Sequence, residues 1–402
     1  MQTLRPAIAV AVSIGLALGI TALSVTLQSR TAPELVDQND ESRVVAVLQT
    51  KAQALPDDLR ALLKAVRAQP GDLPAAQKAA RRLIDTGRAL GDSRLVGASL
   101  GILRPFMEKP TAQTLYLSAT ARQYQHDFNG ALALLDQAIA LDPRDANSLL
   151  SRATIRIVLG QFDIAAKDCQ ALHALSRPDL GFLCQATALI LTADAPAVYD
   201  RLQAITSAKG VLDPALRGWA IGLMGEIAGL RGNDDDAQRL LAQVVAADPL
   251  ALRERLLLVD LFLRQQKPQQ ALDLLVGTPE VDGVLIRRVL AAQALGDSAG
   301  AASDSAELAR RFKLNIDLGL TAHAREETRY FLEIAHDPAV ALERAKINWA
   351  LQHEIEDAQL LINAAAYGGQ PQAAKPVLDW MAQQRIMVPT LLIPEAVRKA
   401  AE

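Results

Sequence analysis

From residue 56 onward the apolar residues return every three or four positions, the spacing of one face of an α-helix. Sustained strand-type alternation is scarce after residue 50, so the pattern predicts helices throughout. It also repeats on a longer scale. Residues 112–145 and 146–178 share one register, with Leu115 over Leu149, Ala119 over Ala153, Phe128 over Phe162 and Ala131 over Ala165, each pair 34 residues apart. Each unit reads as two helices. The first carries a large apolar residue and a small one four positions later; a small residue opens the second, and a proline such as Pro143 closes it. The template returns over 218–249, with Gly225 and Ala237 in the small positions, Gly232 at the turn and Pro249 at the end. Ala271 lies another 34 residues beyond Ala237. Weaker copies cover 284–312 (Ala301 in its second helix), 329–351 and 359–381, and an upstream copy over 75–103 is predicted to have a longer turn between its helices. Ala165 and Ala237 are two periods plus four residues apart, which predicts a divergent copy over 180–212.

About nine hairpins therefore fill residues 56–387, with 31–55 as linker and start of the first helix and 388–402 as a capping segment. Two such helices cannot bury their shared apolar face alone, whereas stacked neighbours bury a continuous core. Gly160 and Gly232 fall where the chain leaves a first helix and needs a permissive backbone. Pro143 and Pro249 follow a second helix, where a missing N–H costs little.

This 34-residue beat resembles the tetratricopeptide repeat. The resemblance implies an all-α, right-handed solenoid whose first helices line a concave wall, and a role in holding a protein or peptide there, with no catalysis and no cofactor. Carried over position by position, it places Gln113, Tyr116, Thr120, Gln123 and Tyr124 on that wall in one repeat. Asn147, Leu150, Thr154, Ile157 and Val158 follow, then Trp219, Glu226 and Leu230, then Arg253, Leu256, Asp260 and Arg264. The family's clamp of Lys, Arg and Asn for a terminal carboxylate is unmatched, because those positions hold Tyr, Leu and Thr. Tyr116, Tyr124 and Trp219 are the expected anchors, since aromatics dominate binding hot spots; the alternative is that they merely cover the hairpins. The run from His323 to Leu361 is also loosely similar to uncharacterised bacterial proteins with an anchor followed by repeats, which implies location but no activity.

Composition agrees with helices in close contact: 50% of residues are hydrophobic but only 4% aromatic, so Ala and Leu carry the burial. The 42 basic and 45 acidic residues are interspersed, and the absence of a basic stripe argues against a nucleic-acid partner. The N-terminus adds a compartment. Ala7 to Leu27 is uncharged, long enough at about 1.5 Å per residue to span a bilayer as a helix. It predicts residues 1–30 to be a signal-anchor in the inner membrane, N-terminus inside, with the array in the periplasm. The alternative is a signal peptide cleaved near Ala22-Leu23-Ser24.

Two cysteines and one polar cluster carry the remaining chemistry. Cys169 and Cys184 fall at similar height on either side of the turn at Arg177, so a disulfide is expected in an oxidising compartment; two buried free thiols are the alternative. His323, Glu326, Glu327, His336 and His353 are the best case for a metal or catalytic site, with His323 and Glu327 four apart on one helix face. His336 in a turn and His353 at a repeat end argue against their convergence. Arg325 and Arg329 between the glutamates are expected to pair on a solvated face. Leu391, Leu392 and Ile393 need cover, which a capping helix on the last repeat would supply, self-association being the alternative.

Overall fold

Several helices start where the sequence supplies an acceptor for the first free N–H groups. Asp127, Asp145, Asp213, Asn233, Asp297 and Asp337 each accept from a backbone N–H two or three residues on. The resulting array is seen in a computed structural model that describes residues 55–401 except positions 209 and 211. The apolar span Ala7–Leu27 and its linker lie outside the described residues, among which no helix is long and apolar enough to cross a membrane.

After α1 (Asp57–Ala68) come nine antiparallel hairpins among the described residues. They pair α2 (Leu73–Leu90) with α3 (Ser93–Leu103), α4 (Ala112–Tyr124) with α5 (Phe128–Leu141), and α6 (Ala146–Val158) with α7 (Phe162–Ala174). Next are α8 (Pro178–Leu189) with α9 (Ala195–Ser207), α10 (Pro214–Leu230) with α11 (Asp234–Ala247), and α12 (Leu252–Arg264) with α13 (Pro268–Leu275). The last three pair α14 (Asp282–Ala294) with α15 (Ser298–Asp317), α16 (Ala324–Glu333) with α17 (Pro338–Leu351), and α18 (Ile355–Tyr367) with α19 (Lys375–Gln384). A short helix, α20 (Glu395–Ala401), ends the chain described.

The repeat positions do what their size permits. Ala119, Ala131, Ala153, Ala165, Ala237 and Ala271 are all buried at the helix contacts. A Cβ added at Gly225 would stand 3.0 Å from the Leu241 side chain, so a glycine lets α10 approach α11. Two details of the periodicity are corrected. The extra length in the 75–103 copy lies in its first helix, 18 residues long, because Gly91 in the left-handed region and the Asp92 cap make a short turn. The four residues beyond two periods lie in α10, which runs 17 residues where α6 runs 13.

Between α7 and α8 the chains come very close. A Cβ at Gly181 would meet the Cys169 carbonyl oxygen at 2.9 Å, and Cys169 and Cys184 are joined as a disulfide with Cα atoms 5.5 Å apart. Second helix and next first helix are thereby fastened across a repeat boundary.

The stack curls until its last hairpins meet its middle ones. The His353 N–H donates to the Val158 carbonyl at 2.7 Å and its Nδ1 lies 2.9 Å from the Leu159 oxygen. Trp380 packs edge-on against both Phe162 and Trp349. Gly160, at φ 69°, lies under this seam, where a Cβ would collide with the Trp380 indole and the His353 Cβ. Beyond α19 the chain crosses the ends of two earlier first helices. Met387 N–H donates to the Leu191 oxygen at 2.7 Å, and the Thr390 hydroxyl to the Leu230 oxygen at 2.9 Å. One apolar core consequently runs from Leu149 to Val244 and includes Ala341 to Val397. The capping segment therefore does more than cover the last repeat: α20 packs there, while residues 386–392 tie hairpins far apart in sequence.

Candidate concave cleft

Curling this tightly changes what the first helices can offer. Tyr116, Thr120 and Gln123 of α4 are buried, Tyr116 at 1% exposure with the Arg81 guanidinium over its ring, so the expected aromatic anchor is part of the packing. Leu150, Thr154, Val158 and Leu256 are likewise buried. Gln113, Tyr124, Asn147, Ile157, Trp219 and Leu230 are half-buried, Trp219 against the main core, and Arg264 is exposed beside Asp234.

The charged wall positions form a ladder between successive first helices. Arg253 on α12 pairs with Glu226 on α10 at 2.6 Å. One period later, Arg287 on α14 donates to both oxygens of Asp260 on α12, at 2.9 and 2.5 Å. The two acids are one repeat apart, and so are the two arginines, a periodicity in the sequence that would have disclosed the pair. Arg329 on α16 reaches Asp260 as well, at 2.8 Å, and lies 3.5 Å from Glu356 on α18. Arg325 donates to both oxygens of Asp357 and to Glu354. Against the burial that opposes it, Arg287 and Arg329 hold the Asp260 carboxyl well below its ordinary range. Burial pushes Glu354 up to about 7, against the opposing pull of Arg325.

Part of this ladder borders a cleft of about 810 Å³, counting the solvent open to it. Its aliphatic surface comes from Ile157, Ile190, Leu191, Leu256, Leu257 and Ile355; its charges are Glu226, Arg253, Arg287, Arg325, Glu354 and Glu356. Of these, only Ile157, Glu226, Arg253 and Leu256 stood among the wall positions expected from the sequence; Glu354, Ile355 and Glu356 arrive through the curl that seats His353 on the α6 terminus.

The His/Glu cluster does not converge on one centre, and among the described residues no group of three or more potential ligands has metal-binding geometry. His323 lies 3.1 Å from Asp282, Glu327 is paired with Arg344 at 2.5 Å, His353 is bound to the α6 terminus, and His336 sits exposed in a left-handed turn. The solvated face expected around Arg325 is corrected as well. Arg325, Glu326, Glu327 and Thr328 are all buried, since α16 is enclosed by α14, α17 and α18. Burial raises Glu326 to about 8, and lowers His126, at the facing α4–α5 turn, to about 3 with help from His323 and Arg325.

No family model and no curated protein matches this sequence. Among solved structures it is similar to a tetratricopeptide repeat protein from Parabacteroides merdae (14% identity, 63% of this chain and 93% of that one, TM-score 0.37). It is also similar to the Cut9–Hcn1 hetero-tetramer of the APC/C (14%, 81% and 68%, 0.40) and to yeast Tom70 (12%, 85% and 83%, 0.38). The repeat architecture stands on the chain's own features: nine helical hairpins among the described residues, a 34-residue register between several of them and buried small residues at the helix contacts make it an all-α array of stacked hairpins.

Proposed function

We propose that the chain is a non-catalytic scaffold of the bacterial cell envelope that holds a segment of a partner protein in the concave cleft. The cleft itself carries this reading. It offers aliphatic surface to desolvate and fixed charges to orient an extended segment, the combination found in recognition sites. The envelope placement rests on the span Ala7–Leu27 read as an anchor, and the Cys169–Cys184 disulfide is in keeping with an oxidising compartment. Cleavage of the span would leave the same array free in the periplasm.

Photo-crosslinking in intact cells tests both parts. A benzophenone side chain at Leu257, in the cleft, is expected to capture a partner protein in the envelope fraction, and one at exposed Lys167 on α7 is not. Adducts from position 167 alone, or from neither, refute the cleft as the holding site.

A further inference from the structure

We infer that the cleft recognises a lysine side chain of the partner segment, seating its ammonium on the free oxygen of Glu226 and its methylenes along the aliphatic wall. This deepens the scaffold reading and rests on it. The cations of the wall are already engaged. Arg287 spans both oxygens of Asp260 and also donates to the Gly283 carbonyl, Arg325 spans both oxygens of Asp357, and Arg253 holds Glu226 Oε1. At Arg287 and Arg325 an incoming carboxylate would have to displace fork-on-carboxylate pairs, among the strongest side-chain bonds available, while Arg253 is held by a single short contact.

The unused capacity is on the acids. The Glu226 side chain is only 10% exposed, yet its Oε2 is buried with no hydrogen-bond partner, and it borders the cleft. Glu356 reaches only Arg329 at 3.5 Å and Arg287 at 3.9 Å, and remains 35% exposed. Seven carboxylates (Glu226, Glu254, Asp260, Glu333, Glu354, Glu356, Asp357) pair with four guanidinium groups (Arg253, Arg287, Arg325, Arg329), so acids outnumber cations along this wall. A buried acceptor without a donor is costly, and a cation supplying that donor recovers the cost. The vacant acceptors are single oxygens on separate side chains. They suit the compact three-donor ammonium of lysine better than the planar fork of arginine, which needs two oxygens of one group.

The test uses the full chain in detergent micelles and a dye-labelled acetyl-Leu-Leu-Lys-Leu-Leu-amide probe read by fluorescence anisotropy. The lysine probe is expected to bind about tenfold or more tightly than matched probes with acetyl-lysine or glutamate at the centre, as a charge-assisted bond implies. Glu226→Gln is expected to weaken the lysine probe about tenfold and to leave the acetyl-lysine probe unchanged. Glu356→Gln, on a part-exposed side chain, provides an arm that keeps the fold and is expected to weaken the lysine probe severalfold. Equal binding of the lysine and acetyl-lysine probes, preference for glutamate, or undiminished binding to a folded Glu226→Gln chain overturns the inference. Should Glu226→Gln not fold, undiminished binding to Glu356→Gln does so. Displacement of the probe by spermidine at the probe's own concentration overturns the partner protein as the source of the amine. Adducts from position 257 mapped to a segment without lysine overturn the inference while the scaffold reading stands; no adduct at all overturns that reading first.

Discussion

Asp260 holds three successive first helices together, and replacing it by asparagine tests how much the ladder supports the curl. The substitution keeps the shape but removes the charge that compensates Arg287, whose side chain is 3% exposed, and Arg329, at 13%. Removing one partner of a buried ion pair costs roughly 3–5 kcal/mol, because the other charge is left uncompensated. The Asp260 side chain is itself 21% exposed, so water shares the load and the lower end, about 3 kcal/mol, is expected. The sign with pH follows from its depressed folded-state value. The contribution is complete above the unfolded carboxylate value of about 3.9 and disappears as pH falls through the lower folded one, so variant and parent converge in acid. Urea unfolding followed by far-UV circular dichroism at pH 7 should show a lower midpoint. Hydrogen exchange should accelerate in α12, α14 and α16 while α2 to α5 stay protected, as expected when stability is a sum over neighbouring units. Adding Arg329→Met to Asp260→Asn should recover part of the loss by removing one stranded cation. A single variant within about 0.5 kcal/mol of the parent, or a double variant showing no recovery, would refute the reasoning.

Other perturbations have different signs. Glu326 is protonated in the fold up to about pH 8, so it adds stability at low pH that is lost as pH rises toward 8, at up to about 1.4 kcal/mol per unit; Glu326→Gln should flatten that slope in urea titrations between pH 5 and 8, and an unchanged slope would count against its burial as the acid. Replacing Cys169 and Cys184 with serine should cost about 3 kcal/mol for a 15-residue loop, and thiol titration of the denatured parent without reductant should find none; two reactive thiols would show the bond is not made. Ending the chain at residue 385 should speed hydrogen exchange at the ends of α8 and α10, where Met387 and Thr390 donate; unchanged exchange there would mean the strip is not a fastening.

The hairpins were legible because each is written locally: the alanines at the helix contacts, the glycines after first helices and the prolines after second helices need no distant partner. The 75–103 copy was misread at Gly91, since a glycine followed by a cap residue marks a turn of minimal length and not a long one. The site was less legible, for a reason that particular residues show. Arg325 looked solvated because its partners, Glu354 and Asp357, are 29 and 32 residues away and only hairpin stacking brings them near. His353 and Leu159 are 194 positions apart, and their meeting is the sum of small rotations between repeats. No single repeat encodes that sum. The ladder was within reach, since Glu226 and Asp260 stand one period apart, as do Arg253 and Arg287. Tyr116 was misassigned to a binding surface because an aromatic on a first helix reads the same whether it faces a ligand or the next hairpin.

The strip that carries Met387 and Thr390 across earlier helices gives this array a fixed count. An open stack of repeats can gain or lose a unit at modest cost, since each touches only its neighbours. Here His353 must arrive over Gly160, and residues 386–392 over Leu191 and Leu230. Inserting or deleting one hairpin between them would rotate every one of these meetings out of place at once. The number of repeats between Gly160 and His353 is therefore as much a part of this fold's specification as the residues within each.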